Sequence, residues 1–134
     1  VVLGHPLEER LRGKLRTEPD DIVSIGGRWC LPFRTEVFTQ LIEDYKREIE
    51  TLKKNVPHRE SILQLVADQH LRFEHLHPFI DGNGRIGRML INASLIFFDL
   101  DEIIIPLVRR EDYYDAFRGD RISMFQLLSE LSEE

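Results

Sequence analysis

The sequence contains a single cysteine, Cys30, and no apolar run long enough to cross a membrane. One cysteine cannot form an internal disulfide, which excludes the disulfide-stapled secreted scaffolds. The longest apolar stretch, residues 93–98, is far shorter than the about 20 residues that span a bilayer. We therefore expect a domain that acts in the cytoplasm, or in a host cytosol if it is part of a secreted effector, without a membrane partner.

An excess of basic residues is also absent, because 18 Lys and Arg are outnumbered by 24 Asp and Glu. The net charge of -6 argues against nucleic acid as a partner, since phosphate backbones are bound by clustered positive charge. Repeats and low-complexity segments are missing as well. The sequence predicts one globular domain over residues 1–134, and its first residue, Val1, suggests that this domain was cut from a longer protein.

Gly and Pro divide the chain into segments whose apolar spacing is mostly helical. Leu7, Leu11 and Leu15 recur every four residues and predict a short amphipathic helix. Two β-rich runs, residues 22–25 and 28–31, flank a Gly-Gly pair and predict a tight hairpin. The fold class is therefore all-α with one small β-hairpin near the N-terminal third.

Five further helices are predicted, three long and two short. The predicted segments are Thr35 as N-cap through Asn55, Pro57 to His77, Arg85 to Phe98, Glu111 to Phe117, and Ile122 to Leu131. The third is apolar enough to be the central helix, and we expect four of its residues to point inward: Ile86, Leu90, Ala93 and Phe97.

Residues 77–88 join two predicted helices and read His-Pro-Phe-Ile-Asp-Gly-Asn-Gly-Arg-Ile-Gly-Arg. A glycine inside a helix costs about 1 kcal/mol relative to Ala, so Gly82 and Gly84 at a helix start need a compensating reason. Successive glycine amides at a helix N-terminus form a concave group of N–H donors that suits phosphate oxygens. Arg85 and Arg88 lie on one helix face and extend this site, which predicts binding of a di- or triphosphate.

Two more side chains in this stretch carry chemistry. A carboxylate beside a polyphosphate, here Asp81, is a common ligand of Mg²⁺. The imidazole of His77 can accept a proton from a hydroxyl near neutral pH. Singly, Asp81 could be a helix cap and the arginines could be solvated. The whole pattern has a chance probability on the order of 10⁻¹⁰ per start position, which favours one functional site.

This stretch resembles the active-site motif of the Fic family, with every defining position present. The resemblance extends upstream to His70 and Phe73 and downstream to Tyr113 and Tyr114. It implies a mainly helical Fic fold and a protein adenylyltransferase. Such an enzyme moves AMP from ATP onto a Ser, Thr or Tyr hydroxyl of a target protein and releases pyrophosphate.

The resemblance also implies a role for each motif residue. His77 would deprotonate the hydroxyl, Asp81 would hold Mg²⁺, and Arg88 would meet the γ-phosphate. The residues implied for the remaining nucleotide contacts are Gly82, Asn83, Gly84 and Arg85 at the α- and β-phosphates, and Tyr114 beside the base. In the family the hairpin is a flap that adds the target as a β-strand, and the matching residues are Val23, Ser24, Ile25, Gly26 and Gly27.

Several alternatives stay open at this point. A P-loop kinase and a Rossmann site are excluded by the pattern around the glycines, but Fic-type transfer of UMP, phosphate or phosphocholine is not. A non-catalytic module that binds partners through the flap is the alternative from another class. Many relatives are restrained by a helix bearing Ser/Thr-x-x-x-Glu-Gly/Asn. This motif is incomplete here, because Glu134 stands where Gly or Asn is expected after Glu133. Restraint is therefore expected from a separate antitoxin or from removed sequence. A homodimer is a further option.

Overall fold

The computed structural model describes residues 14–25, 28–80 and 82–133, with the backbone alone at Ile25 and Arg28. Most of the predicted N-terminal helix, including Leu7 and Leu11, lies outside these residues. Leu15 is described and is not helical, because it pairs with Phe79 in an isolated antiparallel bridge. The described residues 14–16 therefore lie beside His77, Pro78 and Phe79.

The predicted hairpin is confirmed in its described part. Strand β1 spans Val23–Ile25 and strand β2 spans Arg28–Cys30, and the two pair antiparallel with Ser24 opposite Trp29. The Gly26-Gly27 turn lies outside the described residues. Two β-rich runs on either side of a glycine pair were a sufficient signal for this element.

Five α-helices make up most of the described chain, which confirms the predicted fold class. They are α1 Thr35–Lys54, α2 Arg59–Leu76, α3 Asn83–Phe97, α4 Arg110–Arg118 and α5 Arg121–Ser132, with a 3₁₀ turn over Leu107–Arg109. The predicted N-cap Thr35 is wrong, since Arg34 has the extended cap conformation and Thr35 is already helical. Helix α3 begins two residues earlier than predicted, which brings Asn83 and Gly84 into its first turn.

The central helix is α2, not α3 as predicted. Leu63, Ala67 and Phe73 of α2 are at most 1% exposed, and α2 packs against both α3 and α5. The predicted inner face of α3 is also wrong: Leu90, Ala93 and Phe97 are exposed, and Ile86 is half-buried. The buried positions of α3 are Asn83, Gly87, Ile91 and Leu95. Helix α3 has apolar residues on most of its sides, so their spacing did not predict which side α2 covers.

A connector returns the chain from α3 to α4. The Asn92 side chain holds it by accepting from the Ile103 N–H at 2.8 Å and donating to the Ile103 carbonyl at 3.1 Å. Ile103 is buried and Ile104 is exposed. None of the helices in the described part of the chain has the length and hydropathy of a membrane-spanning segment.

Candidate active site

His77 lies immediately after α2, in the left-handed backbone region at φ 51° and ψ 61°. Pro78 follows, and the residue before a proline avoids the right-handed helical region, so α2 ends here. The left-handed region costs a non-glycine residue about 1–2 kcal/mol. Hydrogen bonds offset this cost on both sides: the His77 N–H donates to the Phe73 carbonyl at 3.0 Å, and the His77 carbonyl accepts from Arg16 Nε at 3.0 Å.

The loop from His77 to α3 is closed by the side chain of Asn83, which is 2% exposed. Its Oδ1 accepts from the Phe79 N–H at 2.9 Å, and its Nδ2 donates to the Phe79 carbonyl at 2.7 Å. Both polar atoms of the amide therefore bind the loop. The predicted contact of Asn83 with phosphate would accordingly come from its backbone N–H. Phe79 packs edge-on against Phe38 of α1, with ring centroids 6.1 Å apart.

The N-terminus of α3 has the features that an anion site needs. Gly82 is the cap residue and has φ 84°, a conformation that favours glycine. The amides of the first turn, at Asn83, Gly84 and Arg85, have no acceptor within the helix. The helix dipole adds partial positive charge at the same end. The sequence-predicted group of N–H donors thus coincides with a real helix terminus that follows directly on the His77 loop.

Arg88 lies on the second turn of α3 and its side chain runs back over Gly84. A Cβ built on Gly84 would be 3.0 Å from Arg88 Nη1. On its other side, the Arg88 guanidinium carbon is 5.9 Å from the centre of the Tyr113 ring. Because Gly84 has no side chain, the Arg88 guanidinium can lie near the amide end of α3. A phosphate bound there would contact both the guanidinium and the amides.

The predicted metal residue, Asp81, lies outside the described residues, so its role with Mg²⁺ stays a prediction. Within residues 14–25, 28–80 and 82–133, no three His, Cys, Asp or Glu side chains form a group that could hold a metal ion.

A cluster of buried polar side chains packs against α3. His70 and Glu74 of α2 are 3% and 2% exposed, and His70 Nε2 lies 2.7 Å from the Tyr113 hydroxyl. Burial lowers the pKa of His70 to about 4, and the positive charge of Arg88 acts in the same direction. Burial raises the pKa of Glu74 to about 7, although Arg88 opposes this shift. At neutral pH the His70 imidazole is therefore neutral.

Gly87 is the point at which α3 rests on this cluster. A Cβ at Gly87 would lie 2.2 Å from Glu74 Oε1 and 2.9 Å from His70 Cε1. Since both of those side chains are buried, neither can swing into solvent to make room. The close approach of α2 and α3 therefore depends on a glycine at this position.

We expect Gly87→Ala to lower the free energy of unfolding by about 2 kcal/mol. Overpacking of a filled interior costs about 1–3 kcal/mol, and the 2.2 Å approach to Glu74 Oε1 puts Gly87 at the upper end of this range, whereas Ala gains about 1 kcal/mol in helix propensity. Urea unfolding followed by circular dichroism would measure the change. Gly119→Ala is the control, because its nearest contact is Ser123 Oγ at 3.0 Å on the surface. An unchanged midpoint in Gly87→Ala would contradict the tight packing of α3 on Glu74.

The remaining predicted site residues that the structure describes lie on α4 and on the hairpin. Tyr114 is 46% exposed and its ring centroid is 5.6 Å from that of Tyr113, so the placement of Tyr114 beside a base remains a prediction. The described flap residues Val23 and Ser24 lie on β1, where Val23 is half-buried and Ser24 is exposed. Trp29, opposite Ser24, is 75% exposed.

Three residues that shape the site were not singled out from the sequence. Arg16 stands in a run of charged residues and gave no signal of burial, and Glu74 looked like an ordinary charged helix residue. Gly87 did carry a signal, because a glycine in a helix interior indicates that another element packs closely against the helix there. Only the packing of α2 against α3 shows which neighbour that is.

Comparisons with known proteins identify relatives of this chain. Protein adenylyltransferase Fic of Drosophila melanogaster is 29% identical over 139 residues, which cover 99% of this chain and 26% of the fly protein. The protein of the same name from Drosophila persimilis is 34% identical over 86 residues, covering 60% of this chain and 17% of that protein. The chain thus spans about a quarter or less of the length of these curated relatives.

The fold is shared with a solved structure as well. A Fic domain containing signaling protein from Bacteroides thetaiotaomicron superposes with a TM-score of 0.65 at 20% identity, over 90% of this chain and 50% of that chain. At this identity the likeness concerns the fold alone. The profile of the Fic/DOC family matches residues 5–95, which include the His77 loop, the amide end of α3 and Arg88. This chain belongs to the Fic/DOC family.

Proposed function

We propose that this domain transfers AMP from ATP to a hydroxyl group of a target protein and releases pyrophosphate. The observation that carries the proposal is the junction of α2 and α3. There a histidine fixed at a helix C-terminus adjoins a glycine-rich helix N-terminus over which Arg88 folds. A proton acceptor and a polyphosphate cradle in one loop suit nucleotidyl transfer, and the curated relatives bear the name protein adenylyltransferase.

In the proposed reaction the target hydroxyl oxygen attacks the α-phosphorus of ATP. The hydroxyl proton passes to the His77 imidazole as the new P–O bond forms. The bond between the α-phosphorus and the bridging oxygen breaks, and its electron pair leaves with pyrophosphate. Positioning and charge stabilisation supply most of the rate in such transfers, so the protein needs no covalent intermediate.

The phosphates would be held by two kinds of donor and by a metal ion. The amides of Gly82, Asn83 and Gly84 at the start of α3, together with Arg85, would bind the α- and β-phosphates, and the guanidinium of Arg88 would bind the γ-phosphate. We propose that Asp81 holds Mg²⁺, which when bound neutralises phosphate charge. Tyr114 would lie against the base.

The target would dock on the hairpin. Strands β1 and β2 pair only with each other within the described residues, so each has an outer edge with backbone groups that an extended segment can pair with. Exposed apolar side chains at Trp29 and Leu31, 75% and 72% exposed, add contact area beside this edge. Such pairing uses backbone groups and not side chains, so the sequence of the hairpin does not identify the target protein.

The experiment that tests the function compares two labels. The 134-residue chain is incubated with Mg²⁺, a lysate and ATP labelled on either the α- or the γ-phosphate. We expect protein-bound label from α-labelled ATP and none from γ-labelled ATP. Transfer of γ-label alone would replace the proposal with a kinase, and transfer of neither label would favour a binding module. Parallel reactions with α-labelled UTP test the nucleotide.

A further inference from the structure

The guanidinium group of Arg16 lies between the hairpin and the end of α2, and Arg16 is 2% exposed. Its Nη1 donates to three carbonyl oxygens at the base of the hairpin, and its Nη2 and Nε donate to two carbonyl oxygens at the end of α2. These acceptors are Asp21 at 3.1 Å, Cys30 at 3.2 Å, Leu31 at 2.7 Å, Leu76 at 3.0 Å and His77 at 3.0 Å. One buried side chain thus joins both legs of the hairpin to the backbone of His77.

The backbone of the same residue adds two more connections. The Arg16 N–H donates to the Pro78 carbonyl at 2.7 Å, and the Arg16 carbonyl accepts from the Phe33 N–H at 3.3 Å. The Phe33 ring also lies 5.4 Å from the guanidinium carbon. Residue 16 therefore contacts the chain on both sides of His77 and on the segment that leaves the hairpin.

These contacts determine the direction of the His77 side chain. The peptide group before His77 is held by its N–H bond to the Phe73 carbonyl, and the peptide group after it is held by Arg16 Nε. With both neighbouring peptide planes fixed, φ and ψ of His77 are fixed, and so is the bond from its Cα to its Cβ. Loss of the Arg16 side chain would remove one of the bonds that hold His77 in the left-handed region, which L-residues disfavour.

A lysine could not replace this arginine. The guanidinium presents five N–H donors in a rigid plane, whereas an ammonium group is a compact charge with three donors. The five carbonyls lie on two separate parts of the chain, and an ammonium group that reached one part would leave the other unpaired. Burial lowers the pKa of Arg16, but five acceptors stabilise its charged form.

We propose that Arg16 is a positioning residue that couples the hairpin to His77, so that the surface that docks the target and the base that activates its hydroxyl are set by one side chain. The proposal rests on the proposed function for its kinetic consequence, since it assigns His77 the role of base. Its structural part, the coupling of hairpin and loop, does not depend on that function.

The test uses Arg16→Lys, with Arg34→Lys as the matched control. Arg34 is an exposed arginine on the connection from the hairpin to α1, and its side chain is 86% exposed. In Arg16→Lys we expect kcat for AMP transfer to fall about ten- to hundredfold, as small misplacements of a reacting group do. The KM for ATP should stay within about twofold, because Arg16 does not contact the α3 end that binds phosphate. Arg34→Lys should match the wild type in both quantities.

Amide hydrogen exchange provides a readout that does not need catalysis. In Arg16→Lys the amides of β1 and β2 and the amide of His77 should lose protection together, while those of α5 keep it. Retained protection at both places, or a fall in kcat with hairpin and His77 protection unchanged, would overturn the proposal. If the wild-type chain transfers no label, the proposed function fails, and the exchange result still decides the coupling.

If Arg16→Lys does not fold, exchange in the wild-type chain decides. In low urea, the hairpin amides and the His77 amide should open with the same dependence on denaturant, because one group holds both. Independent opening of the hairpin, with His77 still protected, would show that the two are not coupled and would overturn the proposal.

Discussion

Replacing His77 with Ala is expected to slow AMP transfer by about 10²–10⁴-fold, the range that a general base contributes. The hydroxyl of the target would then lose its proton only to water as it attacks the α-phosphorus. The amide end of α3 and Arg88 remain in place, so the affinity for ATP should change little. Initial rates with α-labelled ATP measure the first effect, and a binding titration with ATP measures the second.

Two further variants sharpen this test. His77→Asn removes the base but keeps a residue that tolerates the left-handed backbone, so any loss it shares with His77→Ala is not a backbone effect. His75→Ala changes an exposed histidine two residues earlier and should retain full activity. Substantial transfer by His77→Asn would mean that another group accepts the proton.

The stability of the protein is expected to depend on pH through Glu74. The pKa of Glu74 is raised by burial from its ordinary 4.5 to about 7. Between these values the folded protein holds the proton and the unfolded chain releases it. The folded state therefore binds more protons, and the free energy of unfolding falls as the pH rises. The loss from this one carboxyl is on the order of 3 kcal/mol across the interval and is complete above about pH 7.

The measurement is the difference in unfolding free energy between the wild type and Glu74→Gln, taken by urea unfolding from pH 4.5 to 8. The pKa of His70 is lowered to about 4, so its contribution has the opposite sign between about 4 and its ordinary 6.5. That contribution is common to both proteins and cancels in the difference. Glu60→Gln, at an exposed position at the start of α2, is the control for the substitution of a Glu by Gln on the same helix. A flat difference for Glu74→Gln would contradict a buried protonated carboxyl.

The carboxyl group responsible for this pH dependence lies next to the proposed site. The Glu74 carboxyl lies under the backbone of Gly87, one residue before Arg88. Ionisation of Glu74 would place an anion beneath the turn of α3 that carries Arg88, the arginine proposed to bind phosphate. Deleting the charge with Gln keeps the shape, so activity and stability can be compared in one variant.

Much of the site could be predicted from the sequence because it lies in one contiguous stretch. His77, Gly82, Gly84 and Arg88 are within 12 positions of each other, and Pro78 fixes the end of the helix before them. Local rules for helix ends, glycine and proline operate over such distances without tertiary contacts. The same holds for the hairpin, where two β-rich runs and a glycine pair are local signals.

The sequence could not predict the face of α3 or the burial of Arg16. Helix α3 is apolar on most sides, so its buried face is decided by the neighbour that covers it. That neighbour is α2. Arg16 is buried because carbonyl groups 5 to 61 positions away converge on it, and no pattern near residue 16 records their positions.

The sequence by itself predicted the hairpin and the five described helices and placed the candidate site in residues 77–88, since these predictions depend on residue type and spacing over a few helical turns. Only the tertiary structure decided that Asn83 closes the loop through Phe79, that Gly87 rests on Glu74, and that Arg16 joins the hairpin to His77. Each of those contacts satisfies buried polar groups or fills space between elements. Such requirements arise only when separate parts of the chain exclude water from one another.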